Sequence, residues 1–346
     1  ATTSFTVGLE QVLPQGNTKL YLLLFSLAFF AAVLFFALRP GKILVWVGKV
    51  LNPCFLLFLS VLIVSAMLHP TAAVADVVPE GKYAAQPFFT GFLEGYNTMD
   101  ALASLAFGII VVQVIRDLGV QEPGAIAGST VRAGVMSCLL MALIYVAVAI
   151  VGAQSRGALP AAANGGVAFA QIARYYLGNT GLIVLAATVT LACLKTAVGL
   201  ITGCAETFSA LFEKGPSYKA WAITFSAVSF IFANLGLDAI IKYSVPVLML
   251  LHPIAIMLIV LTLCGGLFKN DPVVFRWTIT FTAIASIYDM FAALPKGLWS
   301  ALHGEEIQAV AEKLLPLAGQ GLGWLCPAAL GLVIGLAIHI YRLRKA

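Results

Sequence analysis

The chain has 346 residues, of which 61% are hydrophobic and 10% charged, with a mean hydropathy of +1.00. Soluble domains carry about 25% charged residues, so this balance excludes a soluble globular protein and points to an all-α integral membrane protein. The formal charge of +5 requires no nucleic-acid partner, because the distribution of Lys and Arg follows membrane topology; no Walker-type or H-E-x-x-H motif supports an ATP-driven pump or an intramembrane metalloprotease.

Residues Ala1 to Pro14 are too few to cross a bilayer, which takes ~20 residues. The chain opens on Ala1 with neither an initiator methionine nor a signal peptide, so upstream helices are expected to be missing. Apolar runs then predict nine full spans, at about 19–38, 42–68, 87–116, 124–153, 180–207, 217–235, 240–267, 273–295 and 321–343. The connections alternate in basic content. One side collects twelve residues: Arg39, Lys42, Lys49, Arg116, Arg132, Lys214, Lys219, Lys269, Arg276, Arg342, Arg344 and Lys345. The other collects six: Lys19, Lys82, Arg156, Arg174, Lys296 and Lys313. The first set is expected to be cytoplasmic, which puts the C-terminus inside and the first span's start outside. Between Gly152 and Thr180, residues Gly166 to Leu177 have helical spacing and predict a short helix over the extracellular mouth, either a lid or a plain surface helix. The segment from Lys296 to Leu317, with Glu305, Glu306, Glu312 and Lys313, predicts a solvated amphipathic helix. The cysteines, Cys54, Cys138, Cys193, Cys204, Cys264 and Cys326, show no C-x-x-C spacing and are expected to be small core residues.

Within the third span the stretch Gly91-Phe-Leu-Glu-Gly-Tyr-Asn-Thr-Met-Asp100 interrupts an apolar run with glycines and polar groups. Lipid cannot satisfy freed backbone groups, so such a break belongs where protein or a cavity receives it, and broken helices with charged residues mark secondary transporters. Glu94 falls where the first half-helix leaves its carbonyls unpaired, and a carboxylate there needs a cation, a proton or a bond to a neighbouring helix. Asp100 opens the second half-helix, where capping alone accounts for it. Tyr96, Asn97 and Thr98 add hydroxyl and amide groups, Gly91, Gly95 and Gly108 are expected to allow close backbone approach, and the N–H groups of the second half-helix suit a substrate carboxylate. Lys195 lies about fifteen residues into its span, near the midplane, on one face with Thr188 and Thr202; an ammonium there either tunes a cation site or pairs with a carboxylate such as Glu94. His252, between Pro246 and Pro253, reads as a satisfied core histidine in a kinked helix, and Asp289 as an interfacial residue. Gly319-x-Gly-x-Gly323 follows no strand and is not a nucleotide loop.

Several segments resemble the bacterial branched-chain amino acid:cation symporters, the LIVCS or BrnQ family: Thr2-Thr-Ser-Phe5, Pro40-Gly-Lys42, Gly95-Tyr-Asn-Thr-Met-Asp-Ala-Leu102 with Phe107-Gly-Ile109, Ala192-Cys-Leu with Thr196-Ala-Val-Gly-Leu200, Asn234-Leu-Gly-Leu237 and Ser244-Val-Pro-Val-Leu248. They occur in family order along nearly the whole chain. The resemblance implies a single transmembrane transporter domain over residues 1–346 with a leucine-transporter-like inverted-repeat helix bundle lacking its first two helices. On that mapping 1–14 is a partial helix, 19–68 the end of the first repeat, 87–267 the second repeat and 273–343 two C-terminal helices. It further implies that Glu94, Gly95, Tyr96, Asn97, Thr98 and Asp100 bind substrate, and that Ala192, Lys195 and Thr196 edge the site of a coupling ion, Na+ or H+. In that reading the Lys195 ammonium can take the place of sodium. The expected activity is cation-coupled import of leucine, isoleucine and valine across the bacterial cytoplasmic (inner) membrane, with no catalytic residues, no organic cofactor and no metal beyond a coupling Na+. Two alternatives are a non-transporting amino acid sensor on the same scaffold and a retinal-binding photoreceptor built on the mid-membrane lysine.

Overall fold

The computed structural model describes the chain apart from residues 12, 14, 15, 40, 41, 296, 298, 300–303 and 346. Pro40 and Gly41 of one family-like segment, and Lys296, therefore lie outside the described residues. Among the described residues all regular structure is helical: α1 (Thr2–Val7), α2 (Thr18–Leu38), α3 (Lys42–Leu68), α4 (Lys82–Ala85), α5 (Pro87–Glu94), α6 (Asp100–Asp117), α7 (Pro123–Ser155), α8 (Gly165–Leu211), α9 (Tyr218–Ala233), α10 (Leu237–Leu263), α11 (Pro272–Ala292), α12 (Gly304–Leu314) and α13 (Leu325–Lys345). Of these, α2, α7, α8, α10 and α13 are long and apolar enough to cross a membrane, and the stretch 53–68 and α9 are shorter apolar helices. The protein is an all-helical, multi-pass membrane protein.

The chain folds as two compact units. The first comprises residues 1–78 and 109–240. Its organising element is α8, against which α1, α2, α3 and α9 pack. The inner face of α2 is Leu22, Ser26, Phe29, Val33 and Ala37, in steps of four, three, four and four, which is one stripe of a helix. That stripe meets Val198, Ile201 and Ala205 of α8 and Ala222 of α9. Two side chains fix the register: Ser26 donates to Asn234 Oδ1 at 3.2 Å, and the Tyr218 hydroxyl donates to the Ala37 carbonyl at 2.8 Å. In contrast, α7 has a mean hydropathy of 2.6 in its most apolar window with only 6% of that window buried, as suits a helix facing lipid.

Residues 166–177 form a short helix, as expected: it is the first limb of α8, and Gly178, whose non-helical φ of 64° and ψ of −160° are open essentially to glycine alone, separates it from the span that follows. Asn164 caps this limb, accepting from the Val167 N–H at 3.1 Å, and donates its amide to Asp238 at 2.9 Å. The Tyr176 hydroxyl donates to the His69 carbonyl at 2.9 Å. The cysteines also depart from expectation: all are free thiols, Cys193 is half-buried and the other five are exposed on the protein surface. A small polarizable side chain is tolerated on an apolar surface as well as in a core.

The second unit comprises residues 79–108 and 241–346. Its framework is the close pair α11 and α13. The inner face of α11 is Val274, Thr278, Thr282, Ala285, Ser286 and Asp289, and that of α13 is Ala328, Gly331, Gly335 and His339. A Cβ on Gly331 would sit 2.8 Å from the Trp277 carbonyl oxygen, and one on Gly335 2.8 Å from Val274 Cα, so the helices touch backbone to backbone. The hydroxyls on α11 need no partner on α13: Thr278, Thr282 and Ser286 each donate to the carbonyl four residues earlier, at 2.7–2.8 Å. Above this pair Trp324 and Leu322 form a cluster with Met257 and Ala285, against which Phe89 and Leu93 of α5 pack. The expected amphipathic helix appears as α12, with Glu306 and Lys313 exposed; the side chains of Glu305 and Glu312 lie outside the described residues.

Candidate functional site

The break between α5 and α6 is a tight turn. Glu94 is the last residue of α5, Gly95–Thr98 form one 3-10 turn, Met99 reverses the chain in the left-handed region at φ 61°, and Asp100 starts α6. A non-glycine residue at positive φ is uncommon and carries strain. Inside the turn the Asn97 amide donates to Glu94 Oε2 at 2.7 Å, and the Thr98 hydroxyl donates to the Gly95 carbonyl at 2.8 Å. Glu94 and Thr98 are exposed, Asn97 and Asp100 half-buried, and Tyr96 buried. The Tyr96 ring stacks on His252 at 4.7 Å with an interplanar angle of 3°. His252 is buried in α10, its Nδ1 3.2 Å from the Leu248 carbonyl oxygen. All six residues named from the sequence lie in or beside this turn, and of them Glu94 and Asn97 line the neighbouring cavity. The glycines depart from expectation: among the described residues a Cβ on Gly91, Gly95 or Gly108 would meet nothing within 4 Å, so no close backbone approach uses them. Gly95 contributes its carbonyl instead.

Beside this turn, within the same unit, is a cavity of about 750 Å³, inside the ~300–1,000 Å³ range of small-molecule sites. Glu94, Asn97 and Lys82 give it charged and polar groups, while Phe89, Val245 and Met249 give it apolar wall. An amphoteric edge beside an apolar wall is suited to a zwitterion with a hydrocarbon side chain. The wall residues on α10 were not singled out from sequence, because one apolar position among many in a membrane helix carries no local signal.

Asp289 is a second residue that sequence reading misplaced. It was expected at the membrane interface; it is 3% exposed and lines the cavity. The connection into α13 folds over it, and Gly323 makes room: a Cβ there would lie 3.2 Å from Asp289 Oδ1. That spacing of Gly323 was legible, but its partner 34 residues earlier was not.

The expected cation-site residues lie in the other unit, on α8. The Thr196 hydroxyl donates to the Ala192 carbonyl at 3.0 Å; Thr196 is exposed, and Ala192 and Lys195 are half-buried. Thr188, one helical heptad before Lys195, is buried and donates to the Val184 carbonyl at 2.7 Å. The cavity of about 330 Å³ in this unit is lined elsewhere, by Glu10, Lys19, Asn164 and Asp238 among others.

Comparison with known proteins bears on what such a molecule is. The chain is 49% identical over 327 residues to a branched-chain amino acid permease, BrnQ, of Lactobacillus delbrueckii subsp. lactis, covering 94% of this chain and 72% of that protein. It is 36% identical over 343 residues to BrnQ of Bacillus subtilis, covering 99% and 76%. It is 38% identical over 336 residues to the branched-chain amino acid transport system 2 carrier protein of Pseudomonas aeruginosa, covering 97% and 74%. No solved structure matches the chain. Residues 1–342 match the family model described as branched-chain amino acid transport protein, and with these relatives that match shows that the chain belongs to the branched-chain amino acid transport protein family.

Proposed function

We propose that this protein imports leucine, isoleucine and valine, coupled to a cation and working by alternating access, with the substrate seated beside the α5–α6 break. The observation that carries the reading is the cavity at that break, where Glu94 and Asn97 stand near one another and Phe89, Val245 and Met249 supply hydrocarbon wall. Glu94 attracts the substrate ammonium, the N–H groups opening α6 receive the carboxylate, and the branched side chain enters the apolar wall. The names of the relatives agree with this substrate class. A leucine-transporter-like inverted-repeat scaffold is the framework for the motion. Coupling runs through Ala192, Lys195 and Thr196, with Na+ or H+ as the ion and the lysine ammonium able to stand in for sodium. The distribution of Lys and Arg favours a cytoplasmic-membrane protein of a bacterium with its C-terminus inside.

The test is uptake of labelled isoleucine by transport-deficient cells expressing the protein from its gene, in sodium and in choline medium, for wild type and Lys195→Thr. Accumulation above untransformed cells is expected. Sodium stimulation in wild type assigns sodium as the ion; sodium dependence that appears only in Lys195→Thr assigns the lysine as its replacement. Binding of isoleucine without accumulation in any medium would turn the reading to a sensor.

A further inference from the structure

We propose that Asp289 is a proton-carrying residue of the transport cycle, taking up and releasing its proton through the cavity beside the α5–α6 break. The inference rests on the transporter reading and adds to it a coupling group that lies outside the expected α8 site.

Asp289 is almost fully buried, yet neither carboxyl oxygen has a hydrogen-bond partner. The backbone N–H groups of Gly323 and Trp324 face it without closing to hydrogen-bond geometry. Three further buried polar atoms in the same neighbourhood are equally unpartnered: the Tyr96 hydroxyl, Gln320 Oε1 and the Trp324 indole nitrogen. The Tyr96 hydroxyl and the Trp324 indole lie close enough to interact but outside close hydrogen-bond geometry, Tyr96 also faces Asp289, and Gln320 lines the cavity together with Asp289. Native proteins leave few such groups orphaned, and a cluster of them around one acid beside a cavity marks a site that changes partners.

The cluster mixes acceptors, the oxygens of Asp289 and Gln320, with donors, an indole N–H and two backbone N–H groups. A bare cation would face those donors, whereas a proton carried by the acid would not, which favours the proton. No group of three or more acidic, His or Cys side chains suited to a metal occurs among the described residues. A carboxylate is acceptor-only; once protonated it gains an O–H donor, in a neighbourhood that holds the unpartnered acceptors Gln320 Oε1 and the Tyr96 oxygen. An ionised carboxylate inside a membrane protein also needs a counter-charge, and uptake of a proton supplies the neutral form without one. The O–H bond forms on an oxygen of Asp289 with a proton delivered from cavity water, and breaks by returning it; no other bond changes.

The ionisable groups that face this acid are few. Tyr96 reaches it from the break, with His252 behind the Tyr96 ring, and Tyr288 is its neighbour on α11. Glu94 and Lys82 line the same cavity. On α12, Glu306 and Lys313 are exposed and Gln308 lines the cavity. On α13 the approaching residues are non-titrating, Cys326 is exposed, and His339, Arg342, Arg344 and Lys345 lie toward the far end of the helix.

The experiment is reconstitution of wild type, Asp289→Asn and Asp289→Glu into liposomes, reading labelled isoleucine accumulation driven by an alkaline interior, and isoleucine exchange at equal pH on both sides across a pH series. Wild type is expected to accumulate isoleucine under the pH gradient. In Asp289→Asn that accumulation is lost and the remaining exchange is flat with pH, while Asp289→Glu restores the pH dependence. Gradient-driven accumulation in Asp289→Asn equal to wild type overturns the proposal, as does accumulation that follows sodium and ignores the pH gradient in all three proteins. A readout free of substrate separates this from the function itself: infrared difference spectra of wild type against Asp289→Asn should show a protonated-carboxyl band that disappears on alkalinisation. If that band is absent at every pH the proton assignment fails, whereas a present band with no exchange of any branched-chain amino acid sinks the transporter reading alone.

Discussion

Asn97 donates its amide to Glu94 Oε2 at 2.7 Å, and that bond decides where a carboxylate on the cavity edge points. Asn97→Ala frees Glu94 to swing into solvent, since Glu94 is exposed, and the loss of one charge-assisted hydrogen bond is worth about 1.4 kcal/mol or roughly tenfold in affinity. Isoleucine affinity in a binding assay on purified protein should fall by up to that factor, with only a small change in melting temperature because the bond is exposed. Equal affinity in wild type and variant would separate the turn from substrate binding. The polar residues of this turn were visible in sequence because each interrupts an apolar run. Asp289 was visible too, but its burial was not: what closes over it is a glycine and a tryptophan from beyond α12, and no local pattern announces such a lid.

At the scale of helices, the α11–α13 pair makes two predictions. Gly335 meets Val274 Cα, a backbone atom that cannot rotate away, so Gly335→Val must separate the helices. Overpacking of this kind costs about 1–3 kcal/mol, and thermal unfolding in detergent should report it. By contrast Gly108→Ala in α6 adds a methyl to open space and should be neutral or stabilising by ~0.5–1 kcal/mol. The other prediction concerns the end of the pair where Asp271 caps α11. Its carboxylate accepts from the Val273 N–H at 2.9 Å and from His339 at 2.6 Å, and these two partners hold it below the usual carboxylate range. A depressed carboxyl contributes stability above the unfolded value, ~3.9, and loses it as pH falls through the folded value. Melting temperature should therefore drop with acidification in wild type more steeply than in Asp271→Asn, which keeps the cap but lacks the charge. The spacing of Gly331 and Gly335 was present in the sequence as a small-residue repeat, yet its meaning depended on which helix would be opposite.

For the whole molecule, composition alone established the class: too few charges for water, and apolar runs of membrane length. The proposed orientation would put Arg342, Arg344 and Lys345 on the cytoplasmic side; a C-terminal fluorescent protein that matures only in the cytoplasm should then glow, and an alkaline phosphatase fusion there should be inactive. What periodicity could not supply is the angle between two successive helices. The helix expected over residues 166–177 and the span expected from about 180 are both present, with the non-helical Gly178 between them. Gly178 sets the angle between the two limbs of α8. The first limb, Gly165 to Leu177, is ~20 Å long at ~1.5 Å per residue, so a change of about 10° at this glycine would displace its far tip by about 3.5 Å. The limb is fastened at both ends, by Tyr176 to His69 and by Asn164 to Asp238, and between them Ile172 and Ala173 are buried in one core with Val7, Phe58, Leu62 and Val151. A side chain at position 178 that disfavours φ 64° would therefore set the strain of its own backbone against that core.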